Sequence, residues 1–190
     1  QHWDPLAILG AHPMAQGSSP TVTIRCFLPE ANAVALLLSE RGRQPIPMTR
    51  LHEAGLFETI VPGPLGTSPY RLRITNHAGK VSERHDPYGF PPLLTDFELH
   101  LFGEGTFFKA YDTMGAHLRT VQSIAGVHFV VWAPNAVRVS VVGDFNEWDG
   151  RRHPMTNRGA TGLWELFIPE LTDGTLYKYE IRSRHQDAPF

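Results

Sequence analysis

The chain has 190 residues, with 17 Lys and Arg against 19 Asp and Glu and a net charge of -2, so it lacks the basic footprint of a nucleic-acid-binding protein. Its single cysteine, Cys26, excludes a disulfide framework and a C-x-x-C metal knuckle. No apolar run approaches the roughly 18 residues that a membrane span needs, and no charged-then-apolar leader opens the chain, so a cytoplasmic location with no membrane partner is expected.

From the N-terminus the chain gives "LGAH" at Leu9, the alternating "TVTIRCF" ending at Phe27, "NAV" at Asn32, "PMT" at Pro47, "GLFETIVP" at Gly55 and "YRLRI" at Tyr70. The set then returns. "MGAH" at Met114 and Trp132-Ala133-Pro134 repeat "LGAH" and Phe27-Leu28-Pro29 at a spacing of 105, and "NAV" at Asn135 repeats at 103. "PMT" at Pro154, "GLWELFIP" at Gly162 and "YKYEI" at Tyr177 repeat at 107. Internal similarity of this kind implies two copies of one folded unit.

Within each copy apolar and polar residues alternate, as in Val137, Val139 and Val141 against Arg138 and Ser140, or Tyr177, Tyr179 and Ile181 against Lys178 and Glu180. That is the period of a strand with one face buried. The 17 Gly and 16 Pro, spread along the chain, separate such strands by turns. The expected fold is all-β: two tandem immunoglobulin-like β-sandwich domains, residues 1–90 and 115–190. Between them, 91–114 reads as a structured Pro- and aromatic-rich linker with a short helical turn near "LTDFELHLF". The step in spacing from 103 to 107 places a four-residue insertion on "GDFNEWDG", Gly143 to Gly150, where the first copy carries "LSERGRQP" with no aromatic residue.

The segments "GVHFVVWAPNAVRVSVVGDFNEWDGRRHPM", "GLWELFIP" and "YKYEI" resemble the starch- and glycogen-associated module that precedes the catalytic barrel of bacterial 1,4-α-glucan branching enzymes. The first copy and "DPYGFPPLLTDFELHLFGEGTFFKAYDTMGAH" resemble the extra N-terminal domain and linker of the longer form of those enzymes, so the likeness covers nearly the whole chain. It implies a role in glycogen synthesis, with α-glucan (glycogen, amylose, amylopectin) and the parent's catalytic barrel as partners and no cofactor. The barrel alone needs about 250 residues. Such a chain is expected to be an N-terminal fragment, inactive by itself, of a parent that transfers a cut α-1,4 segment into an α-1,6 branch. The alternative is a scaffold that braces the barrel or sets the oligomeric state and touches no sugar.

Asp144, Glu147 and Asp149 do not read as a catalytic pair, because glycosidase carboxylates flank a bond across a cleft and these share one polar loop. An EF-hand is equally poor, since its fifth position counted from Asp144 is Trp148. An exposed indole, by contrast, can cover the C–H face of a sugar ring. Trp148 is therefore the expected carbohydrate platform, and Asn146 a supporting donor and acceptor. The resemblance implies the tryptophan of this loop and the lysine of the "YK" strand as the binding pair, here Trp148 and Lys178. Trp164, in phase with Leu166 and Ile168, is expected in the core, and Trp132, paired with Phe27 before an X-Pro step, is expected to be structural by the same packing argument. Trp3 stands outside the repeated pattern. No His motif suggests metal, and His12 and His117 are expected to mark packing or a turn hydrogen bond.

Overall fold

A computed structural model describes residues 4–14, 20–38, 44–65 and 69–183. The chain divides into two compact units, the first being Leu6–Phe90 and the second running from Pro91 onward and including the N-terminal Asp4 and Pro5. Trp3 lies outside the described residues.

The first unit contains β1 (Gly10–Met14), β2 (Thr21–Phe27), β3 (Ala31–Leu37), β4 (Ile46–Pro47), β5 (Thr49–His52), β6 (Leu56–Pro62), β7 (Arg71–Asn76) and β8 (Val81–His85). These form two antiparallel sheets, ordered β1-β2-β6-β5 and β4-β3-β7-β8. Alternate residues of the facing strands make one core: Val22, Ile24 and Cys26 of β2 meet Phe57 and Val61 of β6, and Val34 and Leu36 of β3 meet Leu72 and Ile74 of β7. Each of these buries an apolar side chain, a gain of about 1.5–3 kcal/mol for the larger ones.

The second unit opens with the helix α1 (Asp96–Gly103), started by a capping box in which Thr95 and Glu98 satisfy each other's backbone N–H groups. Then follow β9 (Gly115–Val121), β10 (Ile124–Trp132), β11 (Ala136–Gly143), β12 (Thr156–Asn157), β13 (Leu163–Pro169) and β14 (Tyr177–Ser183). The sheet β12-β13-β10-β9 faces the pair β11-β14, all antiparallel. Phe129 meets Tyr177 and Tyr179 edge to face, with centroids 4.9 and 6.4 Å away. Trp164 is 1% exposed, and its indole N–H donates to the Ala133 carbonyl at 3.0 Å, so it is a core residue as its phase predicts. The all-β expectation holds, and among the described residues no helix is long and apolar enough to cross a membrane.

The two copies agree in small details. His12 Nε2 lies 3.0 Å from the Leu9 carbonyl, and His117 Nε2 lies 2.9 Å from that of Met114, the turn contact expected for both. Gly10 and Gly115 precede these histidines with φ of 90° and 101°, a backbone region that L side chains rarely adopt. The two "GL(F/W)E" segments occupy the equivalent strands β6 and β13, each between two partners.

Three sequence readings are corrected. Val34 and Val139 each accept from a methionine amide, Met48 at 2.9 Å and Met155 at 2.8 Å, so their spacing is 139 − 34 = 105 and that of the methionines is 155 − 48 = 107. The second copy therefore gains 107 − 105 = 2 residues rather than four, because Ala31, not Ala33, is structurally equivalent to Ala136: each precedes a register shift in its strand pair. The same shift after Ala136 turns Val137 outward, to 39% exposure, out of the alternation read for it. Trp132 is 55% exposed rather than buried; its N–H donates to the Thr161 carbonyl at 3.2 Å, and Phe102 of α1 meets it edge-on.

β13 is buried along its whole length, on both faces. One face holds the core. Over the other lies the segment after Pro91, with Leu94 packing on Val130 and Leu163 beside Leu99 and Phe102. Glu165 sits beneath it, accepting from the Leu93 amide at 2.8 Å, the Leu94 amide at 3.0 Å, His128 at 2.8 Å and Arg158 at 2.8 Å. Burial pushes the Glu165 carboxyl up, but the hydrogen bonds from His128, Leu93 and Leu94 outweigh it and hold the carboxyl below its ordinary value.

Candidate functional site

The loop "GDFNEWDG" leaves the end of β11 through a helical turn, Asp144–Asn146, and is closed by backbone bonds from Trp148 to the Gly143 carbonyl at 3.0 Å and from Asp149 to that of Asn146 at 3.1 Å. Glycines frame it where its surroundings come close: backbone at Gly143, and a side-chain end that would have to shift at Gly150. A Cβ on Gly143 would stand 2.5 Å from the Leu176 carbonyl oxygen, and one on Gly150 would stand 2.5 Å from the Glu180 carboxylate. Between them Glu147 and Trp148 both adopt positive φ, 57° and 59°. Left-handed backbone costs an L-residue about 1–2 kcal/mol, more than a turn spends on a bulky indole unless the surroundings enforce it.

The enforcing group is Asn146. Its Oδ1 accepts from the Gly143 amide at 2.9 Å, and its Nδ2 donates to the Val141 carbonyl and to His153 Nδ1, both at 2.8 Å. The side chain is 0% exposed. This corrects the role read for Asn146: a buried amide with its donors already taken builds the loop and has nothing to offer a sugar hydroxyl. His153, which the sequence reading missed, is buried beside it, with its ring meeting Phe145 at 5.6 Å. The signal for it was the repeat itself, since Ile46 occupies the matching position of the first copy (153 − 46 = 107).

Trp148 stands out of this frame at 43% exposure, and its indole N–H donates to Asp144 Oδ1 at 2.8 Å, which fixes how the ring is turned. Lys178 is exposed on β14, opposite Val142 in register, and its ammonium lies 6.0 Å from the Trp148 ring centroid, at the edge of cation–π range. The structure therefore brings Trp148 and Lys178 together and sets Asn146 beneath them. The three loop carboxylates do not converge. Asp144 holds the indole, Asp149 takes the Arg151 guanidinium at 2.7 Å, and Glu147 lies 3.5 Å from Arg152. The Arg151 hydrogen bond holds Asp149 below its usual value, which suits an ion pair and not a proton donor. Among the described residues no cluster of His, Cys, Asp or Glu is arranged to hold a metal. The first copy's counterpart loop includes 39–43, which lie outside the described residues.

The all-β architecture agrees with what the chain is similar to. Residues 113–188 match the profile of carbohydrate-binding module 48 (isoamylase N-terminal domain), and residues 1–88 match that of the alpha-1,4-glucan branching enzyme GlgB N-terminal domain. The chain is 48% identical to 1,4-alpha-glucan branching enzyme GlgB of Paramagnetospirillum magneticum over 181 residues, 95% of this chain and 23% of that one. It is 48% identical to the GlgB of Thermosynechococcus vestitus over 185 residues, 97% of this chain and 24% of that one. The crystal structure of pullulanase from Anoxybacillus sp. LM18-11 aligns with 90% of this chain and 24% of its own at 18% identity, with a TM-score of 0.29, too low to bear on the fold. The chain spans about a quarter of the length of the curated relatives it matches. With near-half identity running from one end to the other and both profiles met in order, the chain belongs to the GlgB family, as its N-terminal domain followed by its family-48 carbohydrate-binding module.

Proposed function

We propose that this region holds α-1,4-glucan chains of glycogen, amylose or amylopectin on Trp148 and Lys178, and so positions them for a branch-forming transferase barrel in the parent protein. The observation that carries the reading is an indole left exposed yet locked in orientation by Asp144, with an ammonium beside it. A sugar ring stacks on the indole through its C–H face, and Lys178 donates to the rim hydroxyls. Because the ring is already oriented, little rotamer freedom is lost on binding. One such platform supports a free energy of only about −4 kcal/mol, on the order of millimolar, and a polymer compensates by offering many chains at once.

Native gels cast with and without glycogen test this. Retardation of the chain by glycogen is expected, with its loss in Trp148→Ala at a folding stability within about 1 kcal/mol of the parent. Retained retardation in Trp148→Ala would instead favour the bracing scaffold, the role that the first copy, with no aromatic in "LSERGRQP", suits on sequence grounds.

A further inference from the structure

We propose that His153 is the positioning residue of the glucan platform: by accepting the Asn146 amide it holds the left-handed Glu147–Trp148 pair that presents the indole. This rests on the glucan reading of Trp148. The orientation of the Asn146 amide is settled by its neighbours, because the Gly143 N–H needs an acceptor and the Val141 carbonyl needs a donor. The remaining amide proton therefore points at His153 Nδ1, 2.8 Å away, and that nitrogen must be unprotonated. His153 is in turn held in place through its backbone, since its carbonyl accepts from the Val141 amide at 3.0 Å. The two residues thus tie both ends of the loop to β11 at the same point, and Val141 takes part in both ties.

Without the acceptor at His153, the buried Asn146 amide proton has no partner on that side, and the amide relieves this by turning. Turning breaks the bonds to Gly143 and Val141 and frees the backbone that carries Glu147 and Trp148. The first copy supports the assignment to binding rather than to the fold at large. It builds the same two-sheet unit with Ile46 at the matching position, so the architecture does not require an imidazole there.

The test uses the 190-residue chain and two substitutions. Asn places a carbonyl oxygen where the imidazole has Nδ1, so His153→Asn keeps an acceptor, whereas His153→Leu keeps the bulk and removes it. Expected for His153→Leu are a roughly tenfold loss of glycogen affinity in native gels and a displaced or broadened Trp148 indole N–H resonance. His153→Asn is expected to restore both. Wild-type affinity and an unmoved indole resonance in His153→Leu would overturn the proposal, as would a His153→Asn variant no better than His153→Leu. A further measurement needs no substitution: long-range proton–nitrogen spectra of the wild-type chain are expected to show His153 with its proton on Nε2, and a proton on Nδ1 would overturn the assignment. If Trp148→Ala leaves glycogen retardation intact the glucan reading falls, and the tautomer and indole resonance still decide whether His153 sets the loop.

Discussion

Asp86 is buried just after β8, accepting from the Tyr70 hydroxyl at 2.6 Å and from the Tyr88 amide at 3.0 Å. Burial raises its pKa to about 6 from 3.8, against the opposing pull of those two hydrogen bonds and of Arg84. The folded chain therefore binds this proton more tightly than the unfolded chain does. The contribution of Asp86 to stability grows as pH falls from 7 through 6, by about 3 kcal/mol in all, and is fully present only below the unfolded value of 3.8. Thermal unfolding across that range is expected to show this rise, and Asp86→Asn is expected to flatten it. At Trp164 the cost is one of packing: Trp164→Ala empties a core position and loses about 3–5 kcal/mol, read by denaturant unfolding. Trp148→Ala, at an exposed ring, is expected to leave that unfolding curve nearly where it was.

At the scale of elements, the segment after Pro91 is part of the second sandwich's outer layer. Leu94 is buried on Leu163, and the Leu93 and Leu94 amides end on the Glu165 carboxylate. A polypeptide of residues 91–190 is thus expected to be several kcal/mol more stable than one of 115–190, which would leave a buried carboxylate without those partners. Urea unfolding of the two compares them directly. In the full chain, Glu165→Gln is expected to cost about 3 kcal/mol and to speed hydrogen exchange at the Leu93 and Leu94 amides. The correspondence of strands between the two copies was legible in the sequence, because alternation and the repeated "PMT" and "GL(F/W)E" segments each mark a strand and its counterpart, whereas the order of strands in each sheet was not. Nor was the linker's burial. Glu165 stands in a strand where a charged residue reads as solvent-facing, and the groups that satisfy it as an interior carboxylate come together only in the fold: His128 and Arg158 beside it, and the amides of Leu93 and Leu94, 71 or more positions away. In the loop, Trp148 and Lys178 were singled out as residue types in a known pattern, and their closeness, the ammonium 6.0 Å from the ring centroid, came only with the fold. Asn146 was misread because a short polar loop does not reveal which side chain turns inward to bond its own backbone.

For the whole molecule, duplication means that one architecture is built twice and then specialised by few residues. The shared parts are geometric, such as the histidine contacts to Leu9 and Met114 and the methionine amides on Val34 and Val139. The divergent parts sit at one end of β11, where the second copy has two added residues, an imidazole and an indole, and the first copy's sequence has Ile46 and no aromatic residue. The units differ in one further respect. The chain's sole thiol, Cys26, lies buried in the first unit with Met48 against it, and burial pushes its pKa well up. A thiolate is what alkylating reagents attack, so in the native state this sulfur is shielded twice, by lack of access and by lack of charge. Its rate of modification then becomes a clock for transient opening of the first sandwich alone. That opening can be timed in the intact chain, with the Trp148 loop of the second unit left untouched, without separating the two units or attaching a label elsewhere.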